Sequence, residues 1–232
     1  MKKISEVLQG NPYVGRGVLA GTTPSGKGVV AYFIMGRSEN SRNRVLAVKN
    51  GEVRTEPFDA SKVRDPRLII YTAIRKCGKT LLVTNGDQTD TLYDGLSAGK
   101  SVEESLQERT YEPDAPNYTP RIGCAFDTEM GNYELFLLKC ADGNGGACER
   151  FFYRYESVKG VAKFIHTYVT DGDPLPSFTG EPETVETEED LEAFAKKIWN
   201  ALDENNKIAL YVRKFDAKCG EEQEILFNKH AK

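Results

Sequence analysis

The sequence predicts an α+β protein in which β-sheets are covered by helices. Short apolar runs separated by Gly, Pro and Asn lead up to Thr84, a helical segment follows, and further apolar runs precede a late amphipathic helix. The 232 residues are 39% hydrophobic and 28% charged, which is the composition of a folded protein. We expect a single domain over residues 1–232, with residues 171–232 as a C-terminal extension.

The predicted strands fall into groups along the chain. The part from Gly15 to Phe58 predicts a β-meander, and the glycine-rich residues 142–146 predict the tip of a hairpin. The apolar runs that predict strands are 18–20, 29–35, 45–48, 67–74, 80–84, 122–126, 133–139, 151–155, 208–212 and 224–227.

Two helical regions are predicted from the spacing of apolar residues. Residues 89–109 have leucine and valine at one-turn spacing, and Gly99 divides this segment into two short helices. Farther along, Thr187 is the predicted N-cap of a longer helix, with Asp190 three residues later. The residues that form its apolar stripe are Leu191, Phe194, Ile198 and Leu202.

Composition and charge exclude several classes of function. A formal net charge of −4 gives no general attraction to nucleic acid or to an anionic membrane, so a phosphate would need local arginines. No run of about 18 apolar residues occurs, and polar residues follow Met1, so we expect neither export nor membrane insertion. A small anionic ligand is favoured over a polymer.

The cysteines and histidines predict neither a disulfide framework nor a metal site. The cysteine number is odd and no pair has Cys-x-x-Cys spacing, which favours reduced thiols in a cytoplasm. His166 lies in an aromatic run that predicts a packing role, and His230 is far from it. Proton chemistry must therefore use Tyr, Lys, Asp, Glu or Arg. The five cysteines are Cys77, Cys124, Cys140, Cys148 and Cys219.

An arginine-rich polar segment directly follows the apolar run 29–35. Residues 36–44 read GRSENSRNR and so contain three arginines. Arginine can bind two phosphate oxygens at once, and Ser and Asn can complete the shell with neutral hydrogen bonds. The segment is either an anion site or a solvated hairpin loop, and local composition alone favours the loop.

Two further polar motifs lie at the ends of predicted strands. Residues 84–91 read TNGDQTDT where a strand gives way to a helix, and helix starts either bind anions or are capped by residues such as Thr89 or Asp90. Residues 117–121 read NYTPR ahead of another strand, where Arg121 either closes over a ligand or belongs to a structural turn.

Taken together and in this order, these motifs and Tyr71 resemble the archaeal-type IMP cyclohydrolases, over about residues 13–125. The matching parts are GRS at 36–38 with NR at 43–44, Tyr71, TNGxxTDT at 84–91 and NYTPRI at 117–122. The resemblance implies a four-layer αββα sandwich like that of the N-terminal nucleophile hydrolases. Because Lys2 follows Met1, we do not expect autoprocessing to a terminal nucleophile.

The activity that the resemblance implies is closure of 5-formamidoimidazole-4-carboxamide ribonucleotide to inosine monophosphate (IMP), with loss of water and without a cofactor or metal. The carboxamide nitrogen attacks the formyl carbon of the same molecule. An enzyme can hold the two groups together, stabilise the oxyanion on the formyl oxygen and move protons. The expected partner is a small purine ribonucleotide, and self-association of the chain stays open.

The resemblance also assigns residues to roles. It places three residues at the reacting centre, namely Arg37, Arg44 and Tyr71. Proton transfer falls to Glu112 or Asp114, because this chain reads YEPDAP at 111–116, where the family pattern has a lysine among acidic residues. The expected substrate-binding residues are Ser38, Asn43, Asn85, Gly86, Thr89, Asp90, Asn117, Thr119 and Arg121.

Two departures from the family pattern leave alternatives open. The segment from Arg37 to Arg44 is one residue longer than the pattern, so Arg42 and Arg44 could exchange roles. The missing lysine also supports a second hypothesis, a non-catalytic purine-nucleotide-binding protein. A third hypothesis is an amide hydrolase on the same scaffold.

Overall fold

A computed structural model describes residues 1–63, 70–216 and 220–230, and two seven-stranded sheets make up most of this part. Strands are numbered in chain order. The first sheet contains, side by side, β1 (Lys2–Lys3), β12 (Glu183–Glu186), β11 (Val161–His166), β2 (Arg16–Thr22), β3 (Gly28–Met35), β13 (Lys207–Phe215) and β14 (Glu222–Asn228). The second contains β10 (Cys148–Tyr155), β9 (Tyr133–Cys140), β8 (Arg121–Asp127), β7 (Thr80–Thr84), β6 (Thr72–Cys77), β5 (Glu52–Glu56) and β4 (Val45–Lys49).

The helices are short, and most of them cover the outer faces of the sheets. Apart from the β1–β12 pair, which is parallel, the neighbouring strands are antiparallel. The described helices are α1 (Ile4–Leu8), α2 (Glu39–Arg42), α3 (Gln88–Ser97), α4 (Val102–Ser105), α5 (Leu191–Ala201) and the 3-10 turn Ala60–Lys62.

Successive side chains of the buried strands point to opposite faces of each sheet, and this produces a layered core. In β3, Tyr32 and Ile34 face the second sheet, whereas Ala31 and Phe33 face α1 and α5. A separate apolar cluster joins the outer face of the second sheet to α3 and α4. Each buried aliphatic or aromatic side chain contributes about 1.5–3 kcal/mol by leaving water. The described part is therefore an α+β structure with the order helix, sheet, sheet, helix.

The predicted β-meander from Gly15 to Phe58 is wrong in topology, although its strands are present. The β2–β3 hairpin belongs to the first sheet and the β4–β5 hairpin belongs to the second. Because β3 is apolar on both faces, one face must be covered by another sheet, and the segment after Met35 crosses to that sheet. Of the predicted strand 67–74, residues 67–69 lie outside the described residues, and β6 begins at Thr72.

The other predicted strands are confirmed, and so is the 142–146 hairpin tip between β9 and β10. The chain also contains elements that were not predicted, namely α1, β1, α2, β5, the 3-10 turn Ala60–Lys62, β11 and β12. The C-terminal third completes the first sheet, because β13 pairs with β3 and β14 pairs with β13.

Both helical predictions are confirmed, with one correction to a cap. Gly99, at a φ of 80°, separates α3 from α4. The stripe on α5 is buried as predicted. However, α5 is capped by Asp190, whose Oδ1 accepts from the backbone N–H groups of Glu192 and Ala193 at 3.0 Å. Thr187 instead donates its hydroxyl to the Thr22 carbonyl at 2.7 Å, because it still lies beside the first sheet.

The cap of α5 predicts a stability effect. Asp190→Ala should lower the free energy of unfolding by about 1 kcal/mol, because two helix N–H groups lose their acceptor. Urea or guanidinium denaturation measures this change. Asp190→Asn is the matched control and should stay near wild type, since Asn is an equally good N-cap. Equal losses in both variants would contradict the capping role.

Candidate active site

A polar cleft of about 220 Å³ lies where segment 36–44, the loop before β8 and the segment after β11 meet. It brings together seven of the residues expected from the sequence, namely Arg37, Ser38, Arg44, Glu112, Asp114, Asn117 and Thr119. Six further residues line it that the sequence analysis did not single out, namely Tyr13, Arg16, Asn40, Ser41, Tyr168 and Leu175.

Two buried arginines with unused donors define the floor of the cleft. Arg44 is 1% exposed and donates from Nε to the Ser41 carbonyl at 2.8 Å, while its Nη1 has no hydrogen-bond partner among the described residues. The Nε of Arg16 is also buried without a partner in this part of the chain. Buried donors of this kind are costly unless an acceptor reaches them. The cleft is therefore suited to an anionic or carbonyl oxygen.

The electrostatics of the two arginines differ. Burial, and then the positive charge of Arg16, lower the pKa of Arg44. Burial alone would also lower the pKa of Arg16, but the carboxylate of Glu112 and the neighbouring tyrosines together outweigh burial and raise that pKa well above its usual range. An anion bound between the guanidinium groups would relieve their mutual repulsion.

Glu112 is the buried carboxyl group of the cleft. Its Oε2 lies 3.8 Å from Nη2 of Arg16, and its backbone N–H donates to the Thr119 carbonyl at 2.9 Å. Burial raises the pKa of Glu112, although Arg16 and Arg121 oppose this shift. A carboxyl group with a raised pKa can hold a proton at a higher pH than an exposed glutamate, as acid–base catalysis requires.

Asp114 is held differently from Glu112. It accepts the Thr119 backbone N–H at 2.7 Å and the Thr119 hydroxyl at 2.5 Å. The Thr119 oxygen is also 2.5 Å from the hydroxyl of Tyr168, so Tyr168 donates to Thr119 while Thr119 donates to Asp114. Both carboxylate oxygens of Asp114 thus serve as hydrogen-bond acceptors within its own loop.

The segment after Tyr168 forms one wall of the cleft. Arg37 donates to Asp171 and, at 2.8 Å, to the Gly172 carbonyl, and its guanidinium lies 5.2 Å from the centre of the Tyr13 ring. The backbone N–H of Leu175 donates to Asn117 at 3.1 Å. The segment that begins at Asp171 is therefore tied to residues distant in sequence.

Of the two candidate arginines, Arg44 faces the cleft. Arg42 points the other way, donating from Nε to the Gly36 carbonyl at 3.0 Å and from Nη2 to Asn206 at 3.1 Å. Tyr71 lies behind the cleft, 6% exposed, with its hydroxyl 2.6 Å from that of Tyr32, and it interacts electrostatically with Arg44.

Asn43 and the TNGDQTDT motif do not line the cleft. The amide of Asn43 holds the backbone of Asp59 through two hydrogen bonds of 2.7 Å. Asn85 is fully buried and satisfies the Pro120 carbonyl and the Ile122 N–H at 2.9 Å. This motif therefore supports the strand that carries the third motif.

Gly86, Thr89, Asp90 and Arg121 belong to the same supporting layer. A Cβ on Gly86 would lie 2.8 Å from Nη1 of Arg121, and the hydroxyl of Thr89 donates to the Gly86 carbonyl at 3.1 Å. Asp90 is exposed, 3.1 Å from Arg75. Arg121 is buried and donates to Asp87 at 2.6 Å. It does not line the cleft, but its positive charge acts on Glu112 by opposing the rise in the pKa of that residue.

Among the cleft residues that were not predicted, Arg16 is the one that the sequence could have indicated. Arg16 is a charged residue between Gly15 and Gly17 at the start of an apolar run, where a charge is unexpected. A Cβ on Gly15 would lie 2.1 Å from the Thr167 hydroxyl, so this glycine is required for the close approach of the segment that follows β11. No sequence pattern indicated Tyr13 or Tyr168. Their rings stack in the structure, with centroids 5.9 Å apart.

Within the described ranges, no group of three His, Cys, Asp or Glu side chains could hold a metal ion. The helices of that part of the chain are too short and too polar to span a membrane. His166 is a packing residue as predicted, since its ring lies between Phe164 and Phe178.

The fold and the cleft define an α+β protein with a buried, arginine-rich cleft where the sheets end. A family model described as IMP cyclohydrolase-like protein matches residues 13–219. The chain therefore belongs to the IMP cyclohydrolase-like family. This match continues well past residue 125, where the motif resemblance ended.

Named relatives come from methanogenic archaea. The IMP cyclohydrolase of Methanopyrus kandleri is 36% identical over 145 residues, which are 57% of this chain and 72% of that protein. Those of Methanococcus aeolicus and Methanothrix thermoacetophila are 33% and 36% identical over 47% of this chain. The aligned part spans 56% and 55% of those two proteins, just over half their length.

The supporting layer predicts a pH dependence of stability. Burial alone would raise the pKa of Asp87, but Arg121 and Arg109 outweigh it and hold that pKa below its usual value of 3.8. A depressed carboxyl pKa stabilises the fold above the ordinary titration range and ceases to do so as the pH falls through the folded-state pKa. Asp87→Asn should be less stable at neutral pH and lose less stability on acidification.

Thermal unfolding from neutral to acid pH measures this difference. Asp90→Asn, on the same helix, is the control, because its ion pair with Arg75 is exposed and contributes little. An unchanged acid dependence in Asp87→Asn would contradict the role of the Asp87–Arg121 pair.

Proposed function

We propose that this chain closes 5-formamidoimidazole-4-carboxamide ribonucleotide to IMP. The observation that carries the proposal is the pair of buried arginines, Arg16 and Arg44, beside the buried carboxyl of Glu112. Each arginine has a donor without a partner among the described residues. Membership of the IMP cyclohydrolase-like family and the names of the relatives support the same reaction. The product is a purine nucleotide, so the proposed role lies in purine biosynthesis.

Arg44 and Arg16 stabilise the developing oxyanion in this proposal. When the carboxamide nitrogen attacks the formyl carbon, negative charge accumulates on the formyl oxygen. Nη1 of Arg44 and Nε of Arg16, which no acceptor in the described part of the chain occupies, are donors that are fixed before the reaction begins. Donors held in a buried site stabilise such charge without having to reorganise. Arg37 contributes further positive charge at the rim, and Tyr71 positions Arg44 from behind.

Glu112 is the proposed proton-transfer group. Ring closure requires a proton to leave the carboxamide nitrogen and a proton to reach the departing oxygen as water forms. Glu112 has the raised pKa that this task favours, whereas Asp114 uses both carboxylate oxygens as acceptors for Thr119. We therefore assign Glu112 to the chemistry and Asp114 to holding the loop.

The remaining residues bind the nucleotide or support those that do. Ser38, Asn117 and Thr119 line the cleft and supply neutral hydrogen-bonding groups to the substrate. The other expected binding residues do not line the cleft, and we assign them to supporting the residues that do. They are Asn43, Asn85, Gly86, Thr89, Asp90 and Arg121.

The proposed scaffold is a single domain of the N-terminal nucleophile hydrolase type without autoprocessing. The succession of helix, sheet, sheet and helix supports it. The reaction involves neither redox chemistry nor an external co-reactant, so we propose that it proceeds without a cofactor. We place the reaction in the cytoplasm.

Arg44→Lys separates an oxyanion role from a phosphate-binding role. Lysine keeps the charge but lacks the planar fork, so turnover should fall on the order of 10²-fold while affinity for IMP changes much less. Ultraviolet detection of IMP measures turnover, and calorimetry measures affinity. If Arg44 held the phosphate instead, the affinity would fall and turnover at saturation would persist.

Arg42→Lys is the matched control for Arg44→Lys, because it lies in the same segment with its guanidinium directed away from the cleft. It should retain wild-type turnover. Wild-type kinetics in Arg44→Lys together with a severe loss in Arg42→Lys would reverse the assignment. No IMP formation by the wild-type protein would refute the proposed reaction itself.

Glu112→Gln tests proton transfer. The variant should lose on the order of 10²-fold in turnover. The wild-type rate should fall on the acid side with a midpoint above 4.5, the usual pKa of glutamate, because burial raises the pKa of Glu112. This inflection should vanish in Glu112→Gln and persist in Asp114→Asn. The opposite result, with the inflection lost only in Asp114→Asn, would assign proton transfer to Asp114.

A further inference from the structure

A pair of cysteines stands at the base of the β9–β10 hairpin, apart from the residues that line the cleft. Cys140 ends β9, Cys148 begins β10, and the strand register places them directly opposite each other. The next pair toward the tip is hydrogen-bonded, since Ala141 N–H donates to the Ala147 carbonyl at 2.9 Å. Cys140 and Cys148 are therefore a non-hydrogen-bonded pair, because the two kinds of pair alternate along an antiparallel ladder.

This pairing is compatible with a covalent bond between the two sulfur atoms. The Cα atoms of a non-hydrogen-bonded pair lie about 4.5 Å apart, at the short end of the roughly 4.4–6.8 Å range of disulfides. Directly opposed residues also place their side chains on the same face of the sheet. Both thiols are free in this structure. We infer that Cys140 and Cys148 form a reversible disulfide that closes the hairpin against the loop carrying Glu112 and Asp114.

The proposed step is thiol–disulfide exchange with a low-molecular-weight disulfide such as glutathione disulfide. Cys148, the more exposed of the two, loses its proton and attacks one glutathione sulfur, releasing the first glutathione thiolate. Cys140 then loses its proton and attacks the sulfur of Cys148, which breaks the mixed disulfide and releases the second. Two electrons pass from the cysteines to glutathione, and the two released protons neutralise the two glutathione thiolates.

The hairpin tip contacts the loop of the cleft directly. The Gly146 carbonyl accepts from the Tyr111 hydroxyl at 2.7 Å, and the Asn144 carbonyl accepts from the Tyr118 hydroxyl at 3.4 Å. These tyrosines, whose rings meet edge to face, immediately precede Glu112 and Thr119. A crosslink at the base of the hairpin restricts the opening of the tip and so of the loop that it contacts.

The test treats the full-length protein with glutathione disulfide and then with excess reduced glutathione. Peptide mass spectrometry should find Cys140 and Cys148 linked, with the mass lower by two hydrogens, and the link should disappear on reduction. Oxidation should be faster at alkaline pH, because burial raises the pKa of Cys148. Hydrogen exchange of the backbone amides of residues 111–119 should be slower in the oxidised protein.

Cys148→Ser should abolish both effects, whereas Cys77→Ser, which changes a half-buried cysteine on another strand of the same sheet, should retain them. Failure to form the link, or linkage of Cys140 to another cysteine, would overturn the inference. A link without slower exchange in residues 111–119 would also overturn it. These measurements do not involve the formamido nucleotide, so they can succeed even if the proposed reaction fails.

Discussion

Face-to-face packing of the two sheets is the constraint on which the other features depend. Strands such as β3 and β8 carry apolar side chains on both faces, so the inner faces must meet each other and the outer faces need helices. Charged groups have no place within such layers unless they are paired. The polar chemistry is therefore confined to strand ends and to the segments between them.

The cleft follows from that confinement. Arg16 begins β2, Arg44 directly precedes β4, and Glu112 lies in the loop before β8, so three distant parts of the chain meet where the sheets end. The side chains of these three residues are buried, which strengthens the interactions among them. The same burial lowers the pKa of Arg44 and raises that of Glu112, and the proposed proton transfer depends on the second of these shifts.

The polar motifs have two distinct physical tasks. Arg44 and Thr119 present atoms to the cleft, whereas Asn85 and Arg121 satisfy buried groups behind it. A buried polar group without a partner costs about 1–3 kcal/mol, so the supporting residues are as constrained as those that line the cleft. The TNGDQTDT motif is thus explained by the wall that it holds, and its proposed effect on the nucleotide is indirect.

The sequence by itself determined most strands, the break at Gly99 and the apolar stripe of α5, because periodicity and turn chemistry are local. Tertiary structure decided which sheet each hairpin joins, that Arg44 rather than Arg42 faces the cleft, and that Tyr168 lines it. These outcomes depend on strand pairing between distant segments. That pairing is set by how buried faces fit together, which no local pattern records.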